Sequence, residues 1–351
     1  MIKYLMYLLA IILLLTGSDC KKNPVAPPPP NGSDTTSNNF TFQSFSFGGN
    51  AGSCLFQDVA IISDTDIWAV GAVYLDSANG NHDPFPYNAA HWNGQVWELQ
   101  KIPYIYQGQP FYHPIQAVFA LASNDVWFGG NGLEHWDGNQ FSNVDAVNPF
   151  WSGNSIQKIW ASLDNNIYLV GSGGVIINYN GFSWTNISSG TSLGFNDIYG
   201  SGGQILAVCS QNSPFGEGIY SINGNKATNI GSYPPGNHEL FGVWFVPNQQ
   251  YYIVGDGIYQ KNLLSDSTWR NSPLEFTINT TSDVRGNGTN DVFVVGASGE
   301  FLHWNGASWK SFIAQTGLAY GSYARVAVNG DLVVAVGFNS PQAVITIGRR
   351  Q

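Results

Sequence analysis

The chain has 351 residues, a formal net charge of −10 and only 10% charged residues, so the basic footprint that nucleic-acid binding needs is absent. Glycine (41 residues) and aromatics (14%) are plentiful, whereas there are only two methionines. Such a composition suits many short strands joined by tight turns and argues against a helical bundle.

The first stretch, MIKYLMYLLAIILLLTGSDC, carries Lys3, an apolar run from Tyr4 to Leu15, then small residues and Cys20. The run is short for a spanning helix and has the size of a signal-peptide core. Cys20 directly after it, followed by Lys21-Lys22-Asn23-Pro24, resembles the lipobox of bacterial lipoproteins, although Asp19 departs from the small residue usual before that cysteine. The resemblance implies a signal peptide over 1–19, lipidation at Cys20, and export to the bacterial cell envelope, lipid-anchored at the outer membrane or cell surface. Residues 20–39 include VAPPPPNGSDTTSNN, which cannot bury apolar surface and opens on a semi-rigid polyproline stretch, so they read as a tether. The folded domain is expected over 40–351.

Self-similarity dominates that domain. Strand-like anchors stand at Asp66-Ile-Trp-Ala-Val-Gly71, Asp125-Val-Trp-Phe-Gly-Gly130 and Asn166-Ile-Tyr-Leu-Val-Gly171. Weaker copies follow at Gln204–Cys209 and Tyr251–Gly255, and the series closes with Asp291-Val-Phe-Val-Val-Gly296 and Asp331–Gly337. Seven copies, mostly about forty residues apart, have the period of a four-stranded propeller blade. An apolar strand precedes each anchor and a Gly-rich loop follows it. In the clearest copies, such as Leu302-His-Trp-Asn-Gly306, a third strand then runs into a turn. Asn-Gly and Asp-Gly at these turns read as two-residue hairpins with two positive-φ residues. The seventh copy lacks a fourth strand, and the alternating FTFQSFSF of Phe40–Phe47 is available to supply it. The expected fold is all-β: a single seven-bladed propeller of four-stranded antiparallel blades, closed by the N-terminal strand joining the last blade.

The pattern of an apolar strand, then DVWxVG, then HWNGxxW, resembles a propeller repeat of exported bacterial proteins and is distantly similar to Asp-box and photosystem-assembly-factor-type propellers. It covers nearly all of Phe40–Arg349, but its turns lack the Ser-x-Asp-x-Gly spacing of an Asp box. The likeness bears on fold and not on function. Cys54 and Cys209 fall in distant blades of such a ring, so free, buried thiols are expected. No Cys/His cluster has zinc spacing, and no cofactor motif is present. Asp76, Asn79, Asn81 and Asp83 gather oxygens in one loop without the order of an EF-hand, and no metal site is assigned. His91, His135 and His303 recur just before the Trp of the third strand, which points to a structural hydrogen bond in each hairpin.

Two places invite ligands. Long insertions (Tyr74–Tyr87, Tyr104–Pro114, Phe150–Asn154 and Tyr233–Glu239) fall on the face that holds the loops entering each innermost strand. There Tyr104, Tyr106, Phe111, Tyr112, Phe150 and Trp151 form a candidate binding patch over blades 1–3, the alternative being that these rings only pack to order the loops. The second place is the axis. Val59, Val118, Ile159, Ile198, Val243, Val284 and Ala324 align as an inter-blade core column. The residues alternating with it include Asp58, Lys158, Asp197, Asp283 and Tyr323 on one side, and Trp160, Tyr199, Trp244, Arg285 and Arg325 on the other. The Asp, Lys and Arg members, with Trp160, Tyr199 and Trp244, make a candidate axial funnel. The alternative is a set of Asp–Arg pairs that merely neutralise each other.

The function read from these features is a lipid-anchored, monomeric envelope or cell-surface protein that presents its loop-rich face to a glycan or protein partner. One rival is a polysaccharide-acting glycoside hydrolase or lyase using Asp58, Asp197 and Asp283. A sialidase-like arginine triad lacks a third member, because Arg270 falls on an outer strand. Another rival is a scaffold or assembly factor in an envelope complex. No catalytic residue is assigned.

Overall fold

The computed structural model describes residues 35–50, 52–77, 80–151, 153–162, 166–212, 215–231, 239–271, 277 and 279–351. The expected signal peptide, Cys20, most of the expected tether, Asn79 and all but Glu239 of the Tyr233–Glu239 loop lie outside the described residues. Seven four-stranded antiparallel sheets follow one another around an axis, as the repeat predicts. In blade 1 the strands are Leu55–Ser63, Asp66–Val73, Tyr87–Trp92 and Trp97–Gln100, innermost to outermost. The innermost strands of successive blades pack on one another, and that of blade 7, Gly321–Asn329, packs back on Leu55–Ser63 to complete the ring.

Anchor strands are buried on both faces because each sheet is sandwiched between two others; Val292, Phe293, Val294 and Val295 of blade 6 are wholly enclosed. The glycine that ends the motif has a steric cause. A Cβ on Gly71, Gly171, Gly296 or Gly337 would run into the carbonyl oxygen of Leu55, Ser155, Thr280 or Ser322, at the start of the innermost strand of the same blade or just before it. That strand is bulged at the same level, with register shifts between Phe56 and Asp58, Ile156 and Lys158, and four further equivalent pairs.

The recurrent histidines are structural, as expected. The Nε2 atoms of His91, His135 and His303 lie 2.8 Å from carboxylate oxygens of Asp66, Asp125 and Asp291, the residue that opens each anchor. The following Trp92, Trp136 and Trp304 donate their indole N–H to carbonyls of the neighbouring turn. The Asn-Gly turns differ from the expectation. Trp92 pairs with Trp97 and Trp304 with Trp309, so these loops have four residues, and only the glycine has positive φ. Asn93 and Asn305 instead use their side-chain oxygen to accept two N–H groups of the turn, the Asx device that short polar side chains permit. Asn223, which pairs with Lys226, heads the one two-residue turn of this set.

The ring closes as predicted. Phe40–Phe47 pairs antiparallel with Gln342–Arg350, from Phe40 opposite Arg350 to Phe47 opposite Ala343. The strand is gripped from both sides. Phe40 and Phe42 pack on Phe293, Phe301 and Phe312 of blade 6, whereas Phe45 and Phe47 pack on Trp92, Trp97 and Phe56 of blade 1. Just ahead of it, Thr36 donates to the Asn290 carbonyl (2.6 Å), Asn38 Oδ1 meets His303 Nδ1 (2.7 Å) and Lys310 Nζ donates to the Asn38 carbonyl (3.1 Å). This segment enters the fold at the face that holds the turns between the first and second strands. Cys54 and Cys209 are free and buried, and burial pushes the Cys209 thiol up to about 12.

Candidate functional site

The bulges aim alternate charged side chains into the axis. Asp58, Asp197 and Asp283 are fully buried, and each uses one oxygen to accept the backbone N–H of the next blade: Val118, Val243 and Val326, at 2.9–3.0 Å. Their other oxygens meet cations. Lys158 Nζ lies 2.6 Å from Asp58 Oδ1, reaching from blade 3 to blade 1 past Ala117. Arg285 reaches from blade 6 to blade 4 past Gly242, with both terminal nitrogens on Asp197 (3.0 and 2.8 Å) and one also on Asp283 (2.9 Å). Arg325 crosses from blade 7 to donate to the Asn196 carbonyl of blade 4 at 2.7 Å. Small residues in blades 2 and 5 leave room for these long arms.

Electrostatics follow from this geometry. Burial alone would raise the Asp197 carboxyl, but Arg285, with Lys158 and Arg325 behind it, outweighs burial and holds it below the usual carboxylate range. Asp283 shares Arg285 less closely, and burial, aided by the charge of Asp197, pushes it up. Burial would lower Arg285, yet Asp197 and Asp283 overcome it and keep the guanidinium charged. Three acidic and three basic side chains thus share the axis. Each of the three carboxyl groups is engaged by both a backbone N–H and a cationic side chain.

Blade 7 requires a correction. Val326, not Ala324, stands in the core column; Arg325 occupies the level of Asp283, and Ala327 the level of Arg285. Tyr323 is buried one level earlier and donates to the Thr316 carbonyl. Matching Asp283-Val-Arg285 to Tyr323-Ala-Arg325 aligned the arginines, but the bulge and the Val326 N–H bond to Asp283 fix a register two residues later. A polar column went unnoticed: Gln57, Gln116, Gln157 and Asn196, each immediately before the charged or small residue of its blade. Gln157 Nε2 donates to Gln116 Oε1 (2.5 Å), and Asn196 to the Leu240 carbonyl (2.8 Å). The recurring amide was visible in the sequence once the innermost strands were aligned.

On the loop-rich face, Tyr104–Tyr106 and Gln109–Phe111 form a two-stranded hairpin of their own. Its turn, Gln107-Gly108, has positive φ at both residues, the geometry that matches strand twist. The hairpin is pinned to blade 2. Asn143 accepts from Ile105 N–H (2.9 Å) and donates to the Ile105 carbonyl (2.6 Å), mimicking a strand, and Asn148 donates to the Tyr104 hydroxyl (3.1 Å). At its foot His113 Nε2 meets Glu134 Oε1 at 2.9 Å, while Glu134 Oε2 is buried without a partner. Burial pushes Glu134 up; burial would lower His113, but its bond to Glu134 prevails and raises it.

This leaves an apolar surface. Ile105, Tyr106 and Phe111 are 47%, 55% and 48% exposed, and Phe85 of the blade 1 insertion is 48% exposed. Half-buried Tyr112 joins them, its ring edge-on to Phe85 at 6.0 Å. Tyr104, half-buried, braces the hairpin from below. The structure separates the other two rings from this surface. Trp151 is only 4% exposed and fills the core between blades 2 and 3, with Phe150 packed against the same cluster.

A hollow lies elsewhere among the described residues. A cavity of about 800 Å³ lies on the axis at the turn face, opposite the hairpin, lined by Trp160, Tyr199 and Trp244, with Lys158 and Arg285 on its floor.

No protein-family model matches the sequence, and no curated protein is similar enough to count as a relative. Solved structures share the fold. One is YCF48 bound to a D1 peptide (TM-score 0.65, 16% identity, 88% of this chain and 97% of that chain). A second is a catalytically inactive virginiamycin B lyase from Staphylococcus aureus with quinupristin (TM-score 0.67, 11% identity, 89% and 100%). A third is the WD40 propeller domain of Doa1 (TM-score 0.58, 13% identity, 88% and 97%). At such identities the likeness shows the fold alone, the β-propeller.

Proposed function

We propose that this protein is a binding propeller that takes a protein partner, through an extended peptide segment, on its loop-rich face at the Tyr104–Phe111 hairpin. The observation that carries the reading is the exposed Ile105, Tyr106 and Phe111 on a hairpin already fixed by Asn143. Exposed apolar side chains held in one conformation lose little entropy on binding, which favours their use as anchors. YCF48, alike in fold, is described with a D1 peptide bound, and an extended peptide suits a narrow apolar ridge flanked by hydrogen-bonding groups. The lipobox-like Cys20 and the polyproline tether are the basis for placing the protein, as a monomer, on a bacterial envelope membrane. A glycan remains the competing ligand for the same face.

The test is a photo-crosslinking residue at Tyr106 in cells, followed by affinity measurement with the captured partner. Replacing Ile105, Tyr106 and Phe111 by Ser should weaken that partner by roughly 30-fold or more, since central anchors contribute about 2 kcal/mol or more each. Undiminished affinity in the triple variant, or binding of a glycan array to this face instead, overturns the reading.

A further inference from the structure

We infer that the axial cavity on the turn face is a second site, and that it binds a neutral, ring-shaped polyol: a short uncharged saccharide. This site lies opposite the hairpin and does not depend on it.

The cavity exists because of an asymmetry in one column of the innermost strands. Blades 2 to 5 place Phe119, Trp160, Tyr199 and Trp244 there, whereas blades 1 and 7 place Ala60 and Ala327 at the same level. Four rings therefore form one wall and two methyl groups the other. Its volume of about 800 Å³ is in the range of small-molecule sites. The rings are held flat by their neighbours. A Cβ on Gly200 would collide with the Trp160 ring, and one on Gly286 would lie 3.0 Å from the Trp244 ring. Trp244 is itself only 2% exposed and backs the wall, so the half-buried Phe119, Trp160 and Tyr199 are the rings left to meet the C–H faces of a pyranose.

The floor selects against both a plain hydrocarbon and an anion. The Lys158 ammonium has three protons, of which one goes to Asp58. A hydrocarbon seated above it would strip water from the remaining protons and offer no acceptor in return, which is costly. A hydroxyl or ring oxygen satisfies them. A carboxylate gains little there, because Lys158 is already bound to Asp58 and Arg285 to Asp197 and Asp283. At the rim, Gln204, Asn166 and Ser201 supply further polar groups, as a ligand edged with hydroxyls needs.

The experiment uses the full-length protein in a zwitterionic detergent without a sugar headgroup. Cellobiose, maltose and N,N′-diacetylchitobiose are titrated, followed by tryptophan fluorescence and saturation-transfer NMR, with digalacturonate as the charged comparator. At least one neutral disaccharide should bind saturably, in the millimolar range or tighter. Trp160→Ala should weaken it about tenfold or more. Ala327→Trp, which fills the cavity with a side chain that the equivalent position of other blades accepts, should abolish binding without lowering the unfolding midpoint. Ala60→Phe serves in the same way should Ala327→Trp fail to fold. Serine replacements at Tyr106 and Phe111 should leave the affinity unchanged. The inference falls if none of the three sugars binds, if binding survives a folded cavity-filling variant, or if digalacturonate binds more tightly than all of them.

Discussion

The axis and the loop face treat polar groups in opposite ways. At the axis, charged side chains are largely withdrawn from water and their bonds cross between blades: Arg285 of blade 6 joins Asp197 of blade 4 and Asp283 of its own blade. At the hairpin, polar contacts are local and partly wet, as between Asn143 and Ile105, and the apolar side chains are the exposed ones. The contrast shows how a repeat fold divides labour. Charges hold the blades in register where every blade meets, and loops outside that belt vary without disturbing it.

The largest effect that would break this contrast is expected at Asp197. Asp197→Ala leaves Arg285 without its two-bonded partner and Val243 N–H without an acceptor, and breaking a buried pair in this manner costs about 3–5 kcal/mol. Urea denaturation should therefore show a large fall in midpoint, while Asp197→Asn, which keeps an acceptor for Val243, should lose less. A variant as stable as the wild type would mean that the belt is ornamental.

A smaller effect is tied to pH at the foot of the hairpin. His113 and Glu134 both sit above their ordinary values of 6.5 and 4.5, so the folded chain holds protons more tightly there than the unfolded chain does. The contribution is whole below about pH 4.5, declines as Glu134 ionises, and is lost as the pH rises through the raised value of His113. The urea midpoint should fall from pH 5 to pH 8, and a His113→Asn, Glu134→Gln double variant should flatten that slope. An identical slope in the two proteins would show that the pair does not titrate on folding.

The smallest effect belongs to Asn143. Asn143→Ala removes two hydrogen bonds at an exposed site, costing about 1 kcal/mol or less. Amide exchange should quicken in Tyr104–Phe111 and nowhere in the blades. Exchange that quickened throughout blade 2 instead would erase the distinction between local and shared contacts.

How much of this was legible in the sequence depended on what each feature rests upon. The anchors are runs of apolar residues buried on both faces and the closing strand is a period-two pattern, and packing between sheets enforces them directly, so both were readable. The Asp residues at the axis were readable as a column too. Their partners were not, because Lys158 and Asp58 are separated by a whole blade and meet only through the ring. The blade 7 register misled because Arg325 invites alignment with Arg285, whereas it stands at the level of Asp283. Trp151 misled for a related reason: a ring in a loop looks the same whether it turns outward or folds under. The cavity was invisible because it is made of what is missing, Ala60 and Ala327 among aromatic equivalents.

The small clip ahead of the closing strand has a mechanical consequence. Thr36 and Asn38 are fastened to Asn290, His303 and Lys310 of the sixth blade, whereas the strand they precede is the seam of the whole ring. Tension applied to the chain upstream would be taken first by those fastenings and only afterwards by the eight residue pairs from Phe40 to Phe47. A tug can thus be absorbed by yielding a few polar contacts, with the circle still locked.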